Sequence, residues 1–318
     1  MPPPVTSRGL VTLVNPNFVQ PGVTPYALDI LASHLETAGF AVEVVDLTFR
    51  GTDWRLAEYF AERDPLLVGV TIRNAGSVQP QEQRVFLPDH LRVIEAIRMA
   101  TRAPIVLGGA GFSSMPYAAL EYFGARYGVK GPGERILCEL AAALAAGRPP
   151  EQVRGLLVND GRRVVPAAGD LHPIAGRTLG DPVTAHYRRS GVPLRVDNRE
   201  YYDRGGLGNL LTKNGCSLAC NHCLEPDAKG TSINRRTPQA VVDELESLVS
   251  QGIHDIHTTD SEFNLKPAHS KAILREIIAR KRSGSLGALR LWIYAHPVPF
   301  DEELADLLAE AGCKGVSL

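Results

Sequence analysis

The chain has 318 residues, of which 44% are hydrophobic, and a formal charge of −1: enough length for about two domains and enough apolar content for a packed core. A near-neutral balance gives no electrostatic case for nucleic acid or an anionic membrane, and no apolar run nears the roughly 20 residues that span a bilayer. The opening MPPPVTSRGL has neither the charged nor the apolar region of a signal peptide. A cytoplasmic, reducing setting is therefore expected, in which closely spaced cysteines are ligands more often than disulfide partners.

Residues 1–147 read as a first domain. The β-rich runs LVTLVN, AVEVVDL, LLVGVTI, PIVLGG and ARYGVKG alternate with helical patterns such as TPYALDILASHLETAGF and LPDHLRVIEAIRMATR. Apolar strands separated by amphipathic helices predict an α/β, flavodoxin-like, doubly wound parallel sheet, with a ligand crevice at the carboxyl ends of its strands. The segments at those ends are NPNFVQPG, TIRN, GGAGFSSMP and KGPGE. Paired glycines let a ligand approach the backbone and expose amide donors to phosphate or amide groups. No GxGxxG follows the first strand, which disfavours a dinucleotide.

Residues 148–205 read as a connector. GLLVN and RRVVP around DGR predict a β-hairpin, and the Pro- and Gly-punctuated stretch beyond it reads as a linker. From residue 206 to 318 the βα rhythm returns, as expected for a partial parallel βα barrel with its chemistry on the carboxyl-end loops. GNLLTKNGC, HDIHTTDSEF, ALRLWIYAHP and CKGVSL are the strands, and a helix starts at Thr237-Pro238. In LRLWIYAHP, Leu291, Ile293 and Ala295 share a face suited to the covering helices, while Trp292, Tyr294 and His296 share the face toward the barrel interior. Tyr294 and His296 are candidate substrate contacts, a role that competes with interior packing.

The first barrel loop carries Cys216, Cys220 and Cys223, three of the five cysteines, within eight residues. A structural zinc wants four ligands from paired motifs, and His222 is poorly spaced to be the fourth. A cubane iron–sulfur cluster held by three thiolates leaves one iron open, and this is the reading preferred over chance clustering. Cys138 and Cys313 sit in apolar contexts and are expected to pack in cores.

With this spacing after the first strand of a βα repeat, the cysteines resemble the signature of the radical S-adenosylmethionine superfamily. The resemblance implies a [4Fe-4S] cluster whose open iron binds the amino and carboxylate groups of S-adenosylmethionine. It places His222 near the adenine, and Asp260, Ser261 and Glu262 where the family has a Gly-Gly-Glu segment facing the methionyl amino group. A doubly wound domain ahead of such a barrel resembles the cobalamin-dependent subfamily. That resemblance implies cobalamin contacts from Asn15, from Thr71, Arg73 and Asn74 of TIRN, from Gly108 and Gly109, and from Gly131 and Glu134 of KGPGE. The Asp-x-His-x-x-Gly that many such domains carry after their first strand is replaced by Asn15-Pro16-Asn17. Cobalamin without a protein histidine ligand is thus expected, with Arg73 as candidate for the cobalt's lower face.

The resemblance further implies a methyltransferase that moves a methyl from S-adenosylmethionine through cobalamin to an unreactive carbon of a small molecule. TIRN and CLEPDAKG resemble the subgroup that contains tryptophan methylases and also uncharacterised lipid-pathway relatives; the lean is toward an aromatic amino acid or indole, which needs no hydrogen abstraction. An electron donor such as flavodoxin or ferredoxin is implied. The alternatives are a cobalamin-dependent radical cyclase or oxidoreductase built from the same parts, and a catalytically incomplete binding fragment. The last segment, AEAGCKGVSL, ends within what reads as a fourth strand where family barrels have about six, and this reading takes the chain as part of a longer protein.

Overall fold

The computed structural model describes residues 7–77, 83–168 and 196–318. The described residues form two compact units, the first holding 7–168 and the second most of 196–318. The expected linker falls largely at 169–195, outside the described residues.

In the first unit, β1 (Leu10–Asn15), β2 (Ala41–Asp46), β3 (Leu67–Thr71), β4 (Ile105–Gly108) and β5 (Tyr127–Val129) are joined by α1 (Tyr26–Thr37), α2 (Leu56–Ala61), α3 (Leu87–Ala100), α4 (Ala110–Ser114) and α5 (Pro116–Phe123). The strand order is β2-β1-β3-β4-β5 with every pair parallel, the doubly wound arrangement expected. After α6 (Glu134–Ala145), the hairpin β6 (Leu156–Asn159) and β7 (Val164–Pro166) adds antiparallel to β5. The hairpin expected in the connector is thus an extension of this sheet. Its turn is set by Asp160, whose Oδ1 accepts from the amides of Arg162 and Arg163 at 2.8 and 2.9 Å.

Strand alternation builds a core on each face of the sheet. Val11 and Leu13 of β1 join Leu28 and Leu35 of α1 and Leu137 and Leu140 of α6. Val14, with Val68 and Val70 of β3, faces Val93, Ile94 and Ile97 of α3. Each such side chain contributes about 1.5–3 kcal/mol by leaving water, which is why the sheet is covered on both sides. Cys138 packs at the margin of the α1/α6 core, as expected.

The second unit opens with α7 (Asn198–Asp203). Four parallel strands, β8 (Gly208–Leu210), β11 (Asp255–Thr258), β12 (Arg290–Tyr294) and β13 (Cys313–Ser317), lie in the order β13-β12-β11-β8. The stretch expected as one strand from Gly208 divides. After Leu210 the chain leaves the sheet, and β9 (Lys213–Asn214) pairs antiparallel with β10 (Asn234–Arg235), beyond the short helix α8 (Glu225–Lys229). Helices α9 (Pro238–Ser250), α10 (Pro267–Arg282) and α11 (Glu302–Ala311) cover one face. As expected, α9 starts at Thr237, whose Oγ1 accepts from the amide of Ala240 at 3.3 Å. Leu291, Ile293 and Ala295 are buried beneath the helices, and Cys313 packs beside them. The opposite face carries the alternate side chains, with His257 level with Asn209 and Trp292 across the strands. Among the described residues no helix is long and apolar enough to cross a membrane.

Candidate active site

The cysteine loop leaves β9 through Gly215, which sits at φ +95°, where a Cβ would lie 2.0 Å from the carbonyl oxygen of Ser232. Only glycine fits so close a backbone crossing. The crossing lets the amide of Cys216 donate to the carbonyl of Gly230 at 3.0 Å, which pins the first cysteine at the base of the loop. Cys216 is buried, Cys223 half-buried and Cys220 exposed, and all three thiols are free. The amide of Cys223 closes a turn on the carbonyl of Cys220 at 3.2 Å. Among the described residues no group of three or more His, Cys, Asp or Glu closes on a single metal ion, and His222 is exposed. Three thiols on one short loop suit the corners of a cluster that leaves a vertex open. Burial pushes the Cys216 thiol up, an amide bond at Leu218 opposes it, and Cys223, Glu262 and Glu225 add to the rise. Such a thiol ionises when a cation takes it.

The second loop follows β11. Asp260 is buried, and both its oxygens are taken. Oδ1 accepts from the amides of Thr212 at 2.8 Å and Lys213 at 3.2 Å. Oδ2 accepts from Thr212 Oγ1 and from Lys213 Nζ at 3.3 Å. A carboxylate has about four acceptor sites, and four donors of the chain fill them. The Asp260 side chain thus fastens the start of the cysteine loop to the second loop. Lys213, itself fully buried, also donates to the carbonyl of Glu262 at 2.5 Å. From the other side Arg236 holds the carbonyl of Leu211 at 2.8 Å and pairs with buried Glu244. Ser261 Oγ donates to Glu225 Oε2 at 2.7 Å and so ties the two loops together.

Glu262 is different. Its Oε2 is buried with no partner. Burial pushes its carboxyl up, His296 and Lys213 act against the rise, and Glu225 adds to it. A half-buried carboxylate with an open oxygen, close enough to act on the Cys216 thiol, fits a cationic amino group.

On the inner face of the sheet, Tyr294 stands edge-on to His257 with ring centroids 4.7 Å apart, and the tyrosine is 48% exposed. Burial pushes the His257 imidazole down. Backbone amide and carbonyl of His296 bond the buried Asn264 side chain at 2.8 and 2.7 Å, and Asn264 also donates to the Pro299 carbonyl at 2.6 Å. The His296 ring turns back on its own loop, its Nδ1 2.6 Å from the Val298 carbonyl. The reading of the sequence missed Lys213, Glu225, His257 and Asn264. Only His257 had a signal, the same alternation that points Tyr294 inward.

In the first unit the expected residues gather at the carboxyl ends of the strands. Thr71 of β3 is level with Gly108 of β4. Gly109 adopts φ +100°, and a Cβ there would lie 2.7 Å from both the Ile72 carbonyl and Thr71 Oγ1. Ser113 Oγ lies 2.9 Å from the Gly109 carbonyl and accepts from the amide of Gly131 at 3.0 Å, which links the β4 and β5 loops. Glu134 begins α6. Arg73 Nη1 donates to Asn74 Oδ1 at 2.9 Å. Asn15 is buried and uses its amide nitrogen on Asp46 and Thr48, each at 3.0 Å, to join the ends of β1 and β2. What it offers a ligand is Oδ1, which, like Asn17 Nδ2, is buried without a partner. A bare glycine cradle beside open amide groups fits a ligand rimmed with amides, as cobalamin is.

A family described as B12 binding domain matches residues 19–141, and the radical SAM superfamily matches residues 210–318. The chain carries a B12 binding domain followed by a radical S-adenosylmethionine domain. It is 48% identical to a tryptophan 2-C-methyltransferase of Streptomyces laurentii, over 98% of this chain and 59% of that protein. A solved structure of the radical S-adenosylmethionine methyltransferase TsrM from Kitasatospora setae, with cobalamin and a [4Fe-4S] cluster bound, superposes with a TM-score of 0.87 at 55% identity. The match covers 98% of this chain and 60% of that one. A second TsrM structure, with tryptophan and a SAM analogue bound, superposes with a TM-score of 0.86 at 55% identity, covering 96% of this chain and 58% of that one. This radical SAM chain thus spans about 60% of the length of the relatives it matches.

Proposed function

We propose that the chain works as a cobalamin-dependent radical SAM methyltransferase whose acceptor is tryptophan, at C2 of the indole. The observation that carries the reading is the pairing of three free thiols on one loop with the open carboxylate of Glu262, which acts on the first of them, Cys216. Cys216, Cys220 and Cys223 hold a [4Fe-4S] cluster, and Glu262 accepts hydrogen bonds from the amino group of S-adenosylmethionine. Ser261 acts through Glu225 to keep the two loops in register; His222, exposed on the loop, is the candidate neighbour of the adenine. With both cofactors bound, the methyl group passes from S-adenosylmethionine by way of cobalamin to the acceptor.

The first unit supplies the cobalamin cradle through Thr71, Asn74, Gly108, Gly109, Gly131 and Glu134, with Asn15 offering its open Oδ1. Arg73 would take the lower side of the cobalt. A guanidinium has no lone pair to give and does not deprotonate, so it fills that side without ligating. Tyr294 and His296 line the acceptor site, where an aromatic ring suits the exposed face of Tyr294. Tryptophan as acceptor is supported by the near-complete alignment of this chain with the S. laurentii enzyme. A low-potential flavodoxin or ferredoxin supplies electrons, and the setting is cytoplasmic.

The test is anaerobic reconstitution with iron, sulfide and cobalamin, followed by incubation with S-adenosylmethionine and tryptophan. The expected result is tryptophan heavier by one methyl group, without deoxyadenosine formed in step, because indole C2 is itself nucleophilic. Replacing all three cysteines by alanine abolishes iron and sulfide binding. A reconstituted protein that binds neither, or that leaves tryptophan unchanged while altering another substrate, contradicts the proposal.

A further inference from the structure

Helix α3 buries a stripe at positions 90, 93, 94 and 97, and three of the four residues are the aliphatic Val93, Ile94 and Ile97. The fourth is His90, 1% exposed. A buried imidazole in an apolar stripe is disfavoured unless it makes a hydrogen bond that an aliphatic side chain cannot make. His90 makes one: Nε2 lies 3.0 Å from the carbonyl oxygen of Asn74. A carbonyl only accepts, so Nε2 carries the proton. The backbone of Pro16 also bears on the ring.

Asn74 lies in the loop that follows β3, and the rest of that loop's backbone is held from both flanks. Phe112 and Gly111 donate their amides to the carbonyls of Ile72 and Arg73 at 3.1 and 3.0 Å. On the other flank Phe86 donates to Ala75, and Ser77 donates to Arg84, at 2.9 and 2.7 Å. Asn74 stands between the two sets, and its carbonyl goes to His90. Its side chain in turn accepts from Arg73 Nη1 at 2.9 Å. The relay His90, Asn74 backbone, Asn74 side chain, Arg73 guanidinium runs from the interior of the unit to the crevice.

We propose that His90 is a positioning residue that aims Arg73, by holding the main-chain carbonyl of Asn74 between the carbonyls held from α4 and the segment held by residues 84–86. The proposal rests on the reading of Arg73 as the group on the lower side of the cobalt, and it adds what keeps Arg73 there. Loss of the His90 bond frees Asn74 to turn, Arg73 swings off, and a water or buffer molecule reaches the cobalt.

The test loads the protein and its variants with hydroxocobalamin, reduces the cobalt to the divalent state, and records electron paramagnetic resonance and visible spectra. These report axial ligation whether or not the protein turns over. His90→Phe and Asn74→Ala are expected to give the spectrum of Arg73→Ala, with an added axial ligand. His90→Gln, whose side-chain amide can still donate, is expected to keep the parent spectrum. If His90→Phe does not fold, His90→Leu decides, because it too removes the donor from the stripe; Asn74→Ala, which keeps the carbonyl, tests only the step from Asn74 to Arg73. A parent spectrum from the folded His90→Phe or His90→Leu, or from Asn74→Ala, with a changed one from Arg73→Ala, overturns the role of His90 and leaves Arg73 standing. A parent spectrum from Arg73→Ala overturns both, and a His90→Gln spectrum like that of Arg73→Ala overturns the hydrogen bond as the cause.

Discussion

Replacing Asp260 by alanine removes four hydrogen bonds at once and leaves the ammonium of Lys213, fully buried, without its counter-ion. Breaking a buried ion pair by deleting one partner costs about 3–5 kcal/mol. Each orphaned buried donor adds about 1–3 kcal/mol before water enters the space left. Against a total stability of about 5–15 kcal/mol, Asp260→Ala is expected to lose at least about 3 kcal/mol in urea unfolding of the protein without cofactors. Asp260→Asn keeps an oxygen for the two amides and should lose about 2 kcal/mol. The double variant Asp260→Ala, Lys213→Met removes the stranded charge, so it should be less destabilised than the sum of the singles by about 1–3 kcal/mol. A carboxylate that faced a cofactor would behave in the opposite way. If Asp260→Ala unfolds within about 0.5 kcal/mol of the parent and instead loses affinity for S-adenosylmethionine, the fastening role is refuted.

Glu262→Gln should leave unfolding nearly unchanged or slightly stabilised, since it discharges a buried oxygen with no partner. It should weaken S-adenosylmethionine binding to the cluster-loaded protein about tenfold, the factor set by about 1.4 kcal/mol, and equal affinity in a calorimetric titration would count against the assignment. Gly109→Ala places a methyl 2.7 Å from the Ile72 carbonyl at φ +100°, so about 1–3 kcal/mol of stability and cobalamin retention on gel filtration should both be lost. Burial lowers the imidazoles of His90, His257 and His269 below their ordinary 6.5. The unfolded chain therefore binds more protons just below that pH, and stability, complete above it, falls as pH drops toward the folded values. The urea midpoint should be lower at about pH 5.5 than at about pH 7.5, and an unchanged midpoint would contradict this linkage. Tyr59 donates to Glu43 at 2.6 Å, and its hydroxyl is pushed up to about 12, first by burial and then by that bond. Tyr59→Phe should destabilise by about 1 kcal/mol, and ultraviolet titration should show one late tyrosine missing.

What was legible in the chain divides by the distance over which each residue finds its partner. Strands β1 to β5, their parallel order, the start of α9 at Thr237 and the inward face of β12 rest on periods of 2 and 3.6 residues or on a cap three residues away. The amino-acid order displays such signals locally. The cysteines were legible for the same reason, since one loop carries all three. Lys213 was not: it reads as an exposed charge near a strand end, and its counter-ion stands 47 residues on. Nor could the sequence tell Asp260 from Glu262. Two carboxylates two residues apart look alike until one is seen with every acceptor site filled from Thr212 and Lys213 and the other with an oxygen left open. The same contrast separates His90 from a packing residue, for its bond crosses 16 residues between a helix and a loop. Residues that touch a ligand tend to sit in short motifs because one loop must present several of them together. Residues that hold such a loop still draw their partners from elsewhere in the chain, and only the folded contacts reveal them.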